Sequence, residues 1–243
     1  MGHYFSSFCD VRVIWGGDET IEDVRKSAIP ARSFDVCFAE RYSLCVINVD
    51  ELVNEQDMAS VARAFYNDTY LFDQNACTAP HLVVWLRSQQ NKQKAKELFW
   101  DAVQQIARIE YDLPAVVDMD KLMAFCREAI ETPQVRREPT VDNTIIRMCL
   151  EEIPDDVVAM RRLGGYINEY DAHSLDELIP LITRKFQTLA SYGMEQKKLQ
   201  DFVIGHRLVG IDRCVPIGRT LDFDLVWDGW NLVETMSRIV GWR

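Results

Sequence analysis

The stretch Phe72-Asp73-Gln74-Asn75-Ala76-Cys77-Thr78-Ala79-Pro80 joins a helical pattern that runs in from Glu55 to a strand pattern over 81–86. Pro80 lacks an N–H group and cannot continue a helix, so it suits the turn into a strand. Small residues flank Cys77, which lets a substrate approach its sulfur. The pattern makes Cys77 a candidate nucleophile, and a buried, inert thiol is the alternative.

Helix and strand patterns alternate on both sides of this turn. Helical spacing of apolar residues predicts helices over 18–26, 54–71, 91–110, 118–131 and 195–204. A capping box formed by Ser174 and Glu177 predicts a further helix that starts near Leu175. Apolar runs predict strands over 11–15, 33–38, 44–48, 81–86, 143–150, 163–170, 186–192 and 213–218. This alternation predicts an α/β fold.

Three further patterns refine the predicted organisation. The nearly continuous apolar run at 44–48 is typical of a parallel strand that is covered on both faces. Polar stretches at 132–142 and 205–212 indicate linkers. An amphipathic C-terminal helix is predicted from the spacing of Leu232, Val233, Met236 and Ile239.

Composition excludes several classes of function. The 243 residues carry a formal net charge of −11, and an acidic surface repels the phosphate backbone of nucleic acids. No apolar run is long enough to span a membrane, and the N-terminus lacks the pattern of a secretory signal. Seven scattered cysteines without a C-x-x-C pair argue against a disulfide scaffold and a zinc site. We therefore expect a cytoplasmic protein with reduced thiols.

Two other stretches contain candidate functional residues. Gly16-Gly17 follows a predicted strand and precedes a predicted helix, a layout that can receive a phosphate group. A purely structural turn is the alternative, because the first helical turn is acidic. Glu40, in a loop between two predicted strands, is a candidate general base, although an exposed carboxylate paired with Arg41 is the commoner case.

Four short stretches, in order, resemble the acyl-CoA reductase family, which includes the LuxC-type fatty-acid reductase of bacterial bioluminescence. They are Val13-Ile14-Trp15-Gly16-Gly17-Asp18-Glu19-Thr20-Ile21, Arg41-Tyr42-Ser43, Asp73–Pro80, and Pro216-Ile217-Gly218 with Trp227-Asp228-Gly229. That family is a branch of the aldehyde dehydrogenase superfamily. The resemblance implies an aldehyde-dehydrogenase-like catalytic domain with the C-terminal remnant of a Rossmann-like cofactor domain.

The resemblance also implies a mechanism. Cys77 would attack a fatty acyl thioester, either acyl-CoA or an acyl-protein, and NADPH would then reduce the acyl-enzyme to an aldehyde. This chemistry requires a thiolate, favoured by a helix N-terminus or a nearby cation, and a donor such as the Cys77 N–H for the tetrahedral oxygen. Trp15, Gly16 and Gly17 would lie near the cofactor pyrophosphate, and Glu40 near the position of the superfamily's glutamate base. An acyl-protein synthetase partner and a homo-oligomer are further expectations.

The sequence departs from the superfamily pattern in two ways. The E-x-F-G-P cofactor-ribose motif would fall at 161–165, where Arg161-Arg162-Leu163-Gly164-Gly165 lacks the glutamate, so that role is not transferred. The resemblance also implies that this chain begins late in the cofactor domain of the longer family members. We therefore expect the end of a cofactor domain at 1–43, a catalytic domain at 44–205 and a return segment with a helix at 206–243. We also expect 11–15, 34–38 and 44–48 to be the least covered strands, with cover from another chain or from a longer gene product.

Two other functions remain open at this point. A cysteine acyltransferase or thioesterase would use Cys77 without nicotinamide and would need a base. His81 lies four residues from Cys77, although it begins a strand pattern and is more typical of a packed or surface histidine. A non-catalytic assembly module is the other alternative.

Overall fold

The computed structural model describes residues 2–86, 90–131 and 135–242 and divides the chain into two compact units. The larger unit comprises residues 42–222, and the smaller unit joins residues 1–41 to residues 223–243. The functional assignment of the segments 1–43, 44–205 and 206–243 stays a prediction. No helix among the described residues is long and apolar enough to cross a membrane.

Helices and strands are numbered in chain order. The α-helices of the described residues are α1 Gly2–Ser6, α2 Asp18–Arg25, α3 Val49–Leu52, α4 Met58–Thr69, α5 Lys92–Glu110, α6 Ala115–Glu131, α7 Gln196–Gly205 and α8 Leu232–Thr235. The strands are β1 Val11–Trp15, β2 Phe34–Phe38, β3 Tyr42–Asn48, β4 Pro80–Leu86, β5 Val135–Arg137, β6 Ile146–Leu150, β7 Tyr166–Ala172, β8 Phe186–Tyr192, β9 Arg213–Pro216, β10 Val226–Trp227 and β11 Trp230–Asn231. Two 3₁₀ turns cover Val157–Met160 and Leu175–Leu178, and the second confirms the predicted start at Leu175.

A seven-stranded sheet in the order β5-β6-β7-β4-β3-β8-β9 forms the centre of the larger unit. All neighbouring strands are parallel except β5 and β6, which are antiparallel. The parallel order with intervening helices confirms the predicted α/β fold. Residues 132–134 of the predicted linker at 132–142 lie outside the described residues. The linker prediction is wrong over β5, because Val135 pairs with Leu150 and extends the edge of the sheet.

The central strand β3 is covered on both faces. Cys45 and Ile47 pack in a core with α4 and α5, while Leu44 and Val46 pack in a second core on the opposite face. This double cover explains the continuous apolar run, which an alternating strand with one wet face would not need. The expectation that 44–48 would be poorly covered is wrong, since all of β3 is buried.

Asp68 of α4 holds the turn that follows β9. Its carboxylate oxygens accept hydrogen bonds from the backbone N–H of Gly218 at 2.6 Å and of Thr220 at 3.1 Å. Gly218 has a φ of 90°, and a Cβ there would lie 2.7 Å from the Cβ of Ala64, so the turn requires glycine. These contacts give the Pro216-Ile217-Gly218 stretch a structural role in fixing β9 against α4.

Replacement of Asp68 by asparagine should flatten the pH dependence of stability. Burial raises the pKa of Asp68 from 3.8 to about 6, despite its two N–H donors. A raised pKa gives a stabilising contribution below pH 3.8 that is lost as the pH rises through 6. As the pH rises from about 4.5 to about 7.5, the free energy of unfolding of the wild type should fall by about 2 kcal/mol more than that of Asp68→Asn, as measured by urea unfolding. Parallel pH profiles would mean that the two N–H donors hold the carboxyl pKa at its ordinary value.

The smaller unit contains two short sheets. Strands β1 and β2 are parallel, and β10 and β11 form an antiparallel pair. Val36, Phe38 and Trp227 pack together, whereas Val13 and Trp15 are 46% and 65% exposed. The expectation of poor cover is thus confirmed for β1, and it holds for β2 only at its exposed first residue, Phe34.

The predicted C-terminal amphipathic helix is wrong in its length. Only the single turn α8 forms, and none of its residues is buried. Met236 and Ile239 lie beyond it and are 48% and 94% exposed. Leu232 packs against the core of the smaller unit, but Val233, Met236 and Ile239 stay exposed, so burial does not stabilise further helical turns.

Candidate active site

The loop between α4 and β4 presents Cys77 at the amino-terminal edge of the parallel sheet. Asp73 and Gln74 adopt left-handed conformations with φ of 51° and 62°, which turn the chain away from the helix axis. A second tight turn follows, in which the N–H of Ala79 donates to the carbonyl of Ala76 at 3.0 Å. Cys77 lies within this second turn and is half-buried, and Pro80 opens β4 one residue before the predicted start at His81.

The side-chain amide of Gln74 fixes the base of this loop. Gln74 is fully buried, and its Nε2 donates to the carbonyls of Pro80 at 3.0 Å and Tyr166 at 3.1 Å. Its Oε1 accepts from the N–H of Gly165 at 3.0 Å and of Tyr166 at 3.2 Å. One side chain therefore satisfies four backbone groups and connects the loop to the amino ends of β4 and β7.

Ser43 fixes the loop from the other neighbour of β4. Its hydroxyl donates to the carbonyl of Cys77 at 2.7 Å and accepts from the N–H of Thr188 at 3.2 Å. The register of β3 shifts at this residue against both neighbouring strands. Ser43 belongs to the Arg41-Tyr42-Ser43 stretch, so part of that stretch serves to hold the backbone of the candidate nucleophile.

Arg161 and the glycines that follow it form the third side of the loop. The Nη2 of Arg161 donates to the carbonyl of Asn75 at 3.1 Å, and the N–H of Gly164 donates to the carbonyl of Asp73 at 3.1 Å. Gly164 and Gly165 have positive φ, and a Cβ on Gly165 would lie 2.4 Å from the carbonyl oxygen of Thr144. Strand β7 therefore begins at Tyr166 rather than at the predicted residue 163. Residues 161–165, to which the cofactor-ribose role was not transferred, thus contact the Cys77 loop directly.

His81 is not presented as a base for Cys77. It is 1% exposed, its ring stacks on Tyr42, and its Nε2 accepts a hydrogen bond from Arg161 at 3.1 Å. Burial, with the charge of Arg161, lowers the pKa of His81 to about 3, so the ring is neutral at physiological pH. A ring nitrogen with such a low proton affinity and an occupied lone pair is a poor general base.

The smaller unit holds the candidate cofactor-binding turn. Trp15 ends β1 and stacks on Phe38 with the ring centroids 4.6 Å apart. The N–H of Gly16 continues the ladder by donating to the carbonyl of Phe38 at 3.1 Å, and a Cβ on Gly16 would crowd Thr20 at 3.0 Å. Gly17 precedes α2 without a side-chain cap, and a Cβ there would meet no atom within 4 Å.

The backbone of this turn has room for a phosphate group, but the charges of the neighbouring side chains oppose one. The open space at Gly17 and the uncapped first turn of α2 leave room for an anion at the helix N-terminus. Asp18 and Glu19 stand in that first turn and oppose a negative ligand electrostatically. The backbone therefore suits a cofactor phosphate better than the side chains do.

Glu40 lies at the same edge of the small sheet as the glycine turn. Because β1 and β2 are parallel, the residues that follow Trp15 and Phe38 emerge at neighbouring strand ends. Glu40 is exposed, and Arg41 donates to its backbone carbonyl oxygen at 3.2 Å. The predicted residues Trp15, Gly16, Gly17 and Glu40 thus share one edge in the smaller unit, whereas Cys77 belongs to the larger unit.

A family model described as acyl-CoA reductase (LuxC) matches residues 3–239 of the chain. This chain belongs to the acyl-CoA reductase (LuxC) family. The match covers nearly the whole sequence and confirms the resemblance that the four short stretches carried. No curated protein matches the chain.

Several solved structures that resemble this LuxC-family chain are dehydrogenases. A 1-pyrroline-5-carboxylate dehydrogenase from Thermus with bound NAD has a TM-score of 0.54 at 12% identity, over 90% of this chain and 44% of that one. A putative methylmalonate-semialdehyde dehydrogenase from Sinorhizobium meliloti complexed with NAD has a TM-score of 0.58 at 12% identity, over 90% and 48%. The bifunctional proline utilization A protein has a TM-score of 0.61 at 10% identity, over 90% and 23%. These matches confirm the aldehyde-dehydrogenase-like fold, and the chain spans less than half the length of each of these proteins.

Proposed function

We propose that this LuxC-family chain accepts a fatty acyl group from an acyl thioester, acyl-CoA or acyl-protein, on Cys77 and takes part in its NADPH-dependent reduction to an aldehyde. The half-buried thiol in a loop whose backbone is fixed by Ser43, Gln74 and Arg161 carries this proposal. A nucleophile held by rigid neighbours on both sides approaches a carbonyl carbon with little loss of conformational freedom.

The thiolate of Cys77 attacks the carbonyl carbon of the thioester and forms a new carbon–sulfur bond. The bond from that carbon to the sulfur of the carrier then breaks, and the carrier leaves as a thiolate that takes a proton from solvent. The guanidinium of Arg161 donates to the carbonyl of Asn75, two residues before Cys77, and would be the nearby cation that a thiolate at Cys77 requires. The N–H of Cys77 would serve the tetrahedral oxygen.

The reductive half of the reaction requires a nicotinamide cofactor. Reduced nicotinamide supplies the hydride that converts the acyl thioester on Cys77 to an aldehyde and returns the thiolate. Trp15, Gly16 and Gly17 would hold the cofactor phosphates, and Glu40 would act as a base. The bound NAD in two of the structural matches supports a nicotinamide cofactor, and the family resemblance favours NADPH over NADH. An acyl-protein synthetase would deliver the acyl group.

Mass spectrometry of the whole chain tests the acyl transfer. After incubation with octanoyl-CoA or hexadecanoyl-CoA, the intact mass should rise by one acyl group, and peptide mapping should place that group on Cys77. NADPH should then remove the adduct with formation of the aldehyde, and the variant His81→Gln should acylate at the wild-type rate. Absence of an acyl adduct on the folded chain contradicts the proposal and favours an assembly module. Loss of the adduct without NADPH, dependent on His81, favours a thioesterase.

A further inference from the structure

Helix α6 buries two charged residues beside Ala124 and Phe125 on its inward face and presents apolar residues outward, which departs from the pattern of an ordinary surface helix. Lys121 and Glu128 are only 2% and 4% exposed. The outward face is apolar along its whole length, and four of its side chains are 57% to 82% exposed. Its members are Val116, Met119, Met123, Cys126 and Ile130, which we call the α6 stripe.

The orientation of α6 is fixed by its buried polar side chains. The ammonium of Lys121 donates to the carbonyls of Asn143, of Gly164 at 2.6 Å and of Thr144 at 3.3 Å. Glu128 accepts from the hydroxyl of Tyr166 at 2.5 Å. Rotation of the helix to bury the stripe would leave these charged groups without their partners, which costs several kcal/mol.

The spacing of the α6 stripe is that of a coiled-coil seam. Its members follow one another at intervals of three, four, three and four residues over the 17 residues of α6. This heptad spacing places apolar side chains at the a and d positions of a helix pair. At about 1.5 Å per residue the seam is about 21 Å long. The stripe is therefore shaped for another helix rather than for a flat surface.

We propose that a second copy of this chain covers the α6 stripe, with the two helices antiparallel about a two-fold axis. Asp120 and Arg127 each follow a d position, and both are exposed on the same flank of the stripe. An antiparallel pair places Asp120 of each copy opposite Arg127 of the second copy, which gives two attractive charge pairs. A parallel pair places neither charge opposite a partner of opposite sign. The helix is thus complementary to itself in one orientation.

The size of the stripe sets the expected strength of the dimer. A pair of helices with two heptads buries less than the roughly 1,200 Å² of a standard stable interface. The dimer should therefore be reversible, with a Kd in the range of about 1–100 μM. This proposal does not depend on the acyl-transfer function, because α6 uses neither Cys77 nor the cofactor turn.

Sedimentation of the whole chain over about 1–300 μM tests the dimer. Met123→Glu places a carboxylate at the middle of the seam twice and should raise the Kd by about 100-fold or more. The matched control is Ile204→Glu on α7, where an isoleucine that is 74% exposed lies outside the stripe, and it should leave the Kd unchanged. Circular dichroism of each variant shows whether the fold persists. A chain that stays monomeric throughout, or a dimer that Met123→Glu leaves intact, overturns the proposal.

Charge reversal tests the antiparallel orientation. Asp120→Arg and Arg127→Asp should each raise the Kd by about 3–10-fold, since each places like charges opposite one another. The double variant restores opposite charges and should recover the wild-type Kd. If the double variant dimerises as weakly as the single variants, the antiparallel arrangement is wrong.

Cysteine cross-linking tests the location of the interface. Met123→Cys should form a disulfide-linked dimer on oxidation and Ile204→Cys should not, and the reverse result places the interface elsewhere.

Discussion

Cys77→Ala is expected to abolish acylation of the chain and to lower thioester-dependent reduction by roughly 10⁴-fold or more. The alanine removes the sulfur that forms the acyl-enzyme, and no other group among the described residues stands on the same loop with comparable nucleophilicity. The fold should persist, because Cys77 is half-buried and alanine is tolerated in the tight turn that it occupies. Acylation measured by intact mass and aldehyde formation measured by cofactor absorbance give two independent readouts.

The control for this substitution is Cys149→Ala. Cys149 is also half-buried and belongs to the same unit, but burial raises the pKa of its thiol and keeps it protonated. Its replacement should leave acylation of Cys77 unchanged. Acylation that persists in Cys77→Ala and disappears in Cys149→Ala would refute the assignment of the nucleophile. Cys77→Ser should fall near Cys77→Ala, because a serine hydroxyl needs an adjacent general base to become a nucleophile, and the buried, neutral His81 does not supply one.

The parts of the fold that the sequence predicted well are those where local chemistry and burial agree. Strand β4 follows a proline and is apolar throughout, and it lies buried in the sheet as expected. The apolar run of β3 correctly indicated cover on both faces. The separate expectation that β3 would be exposed came from the family resemblance, and the packing of α4 and α5 on its strand contradicts it. A local pattern was the better guide here, because burial of a central strand is decided within one unit.

Polar residues with structural roles could not be predicted from residue type alone. Lys121 and Glu128 would ordinarily face solvent, and their burial is favourable because backbone carbonyls accept from Lys121 while the Tyr166 hydroxyl and Arg162 pair with Glu128. Those partners come from segments more than 20 residues away, so no local spacing marks them. The same is true of Ser43, whose hydrogen bond to the Cys77 carbonyl joins β3 to the loop before β4, two segments that meet only in the folded sheet.

The candidate site was only partly predictable for a similar reason. The sequence indicated Cys77 and its turn, but Arg161 was set aside because it replaces the glutamate of a superfamily motif. In the structure Arg161 binds both Asn75 and His81, so the changed residue still contacts the Cys77 loop. The glycine pair at 164 and 165 was the available signal, because two adjacent glycines before a strand indicate a close backbone approach.

Gln74→Ala is expected to lower the free energy of unfolding by on the order of 4 kcal/mol and to slow acylation of Cys77 more strongly than it weakens thioester binding. The substitution leaves the N–H groups of Gly165 and Tyr166 and the carbonyls of Pro80 and Tyr166 without the buried amide, and each unsatisfied group costs about 1–3 kcal/mol before relaxation. Urea unfolding measures the first effect, and single-turnover acylation measures the second.

The left-handed conformation of Gln74 makes the effect on the site specific. A φ of 62° is unfavourable for a residue with a side chain, and the four hydrogen bonds of the amide offset that cost. Without them the loop should relax and move Cys77, so the alkylation rate of Cys77 should change while that of Cys149 stays constant. Gln93→Ala, on the exposed face of α5, is the matched control and should change stability by less than about 0.5 kcal/mol. If Gln74→Ala is destabilised but acylates at the wild-type rate, Gln74 stabilises the fold without positioning the nucleophile.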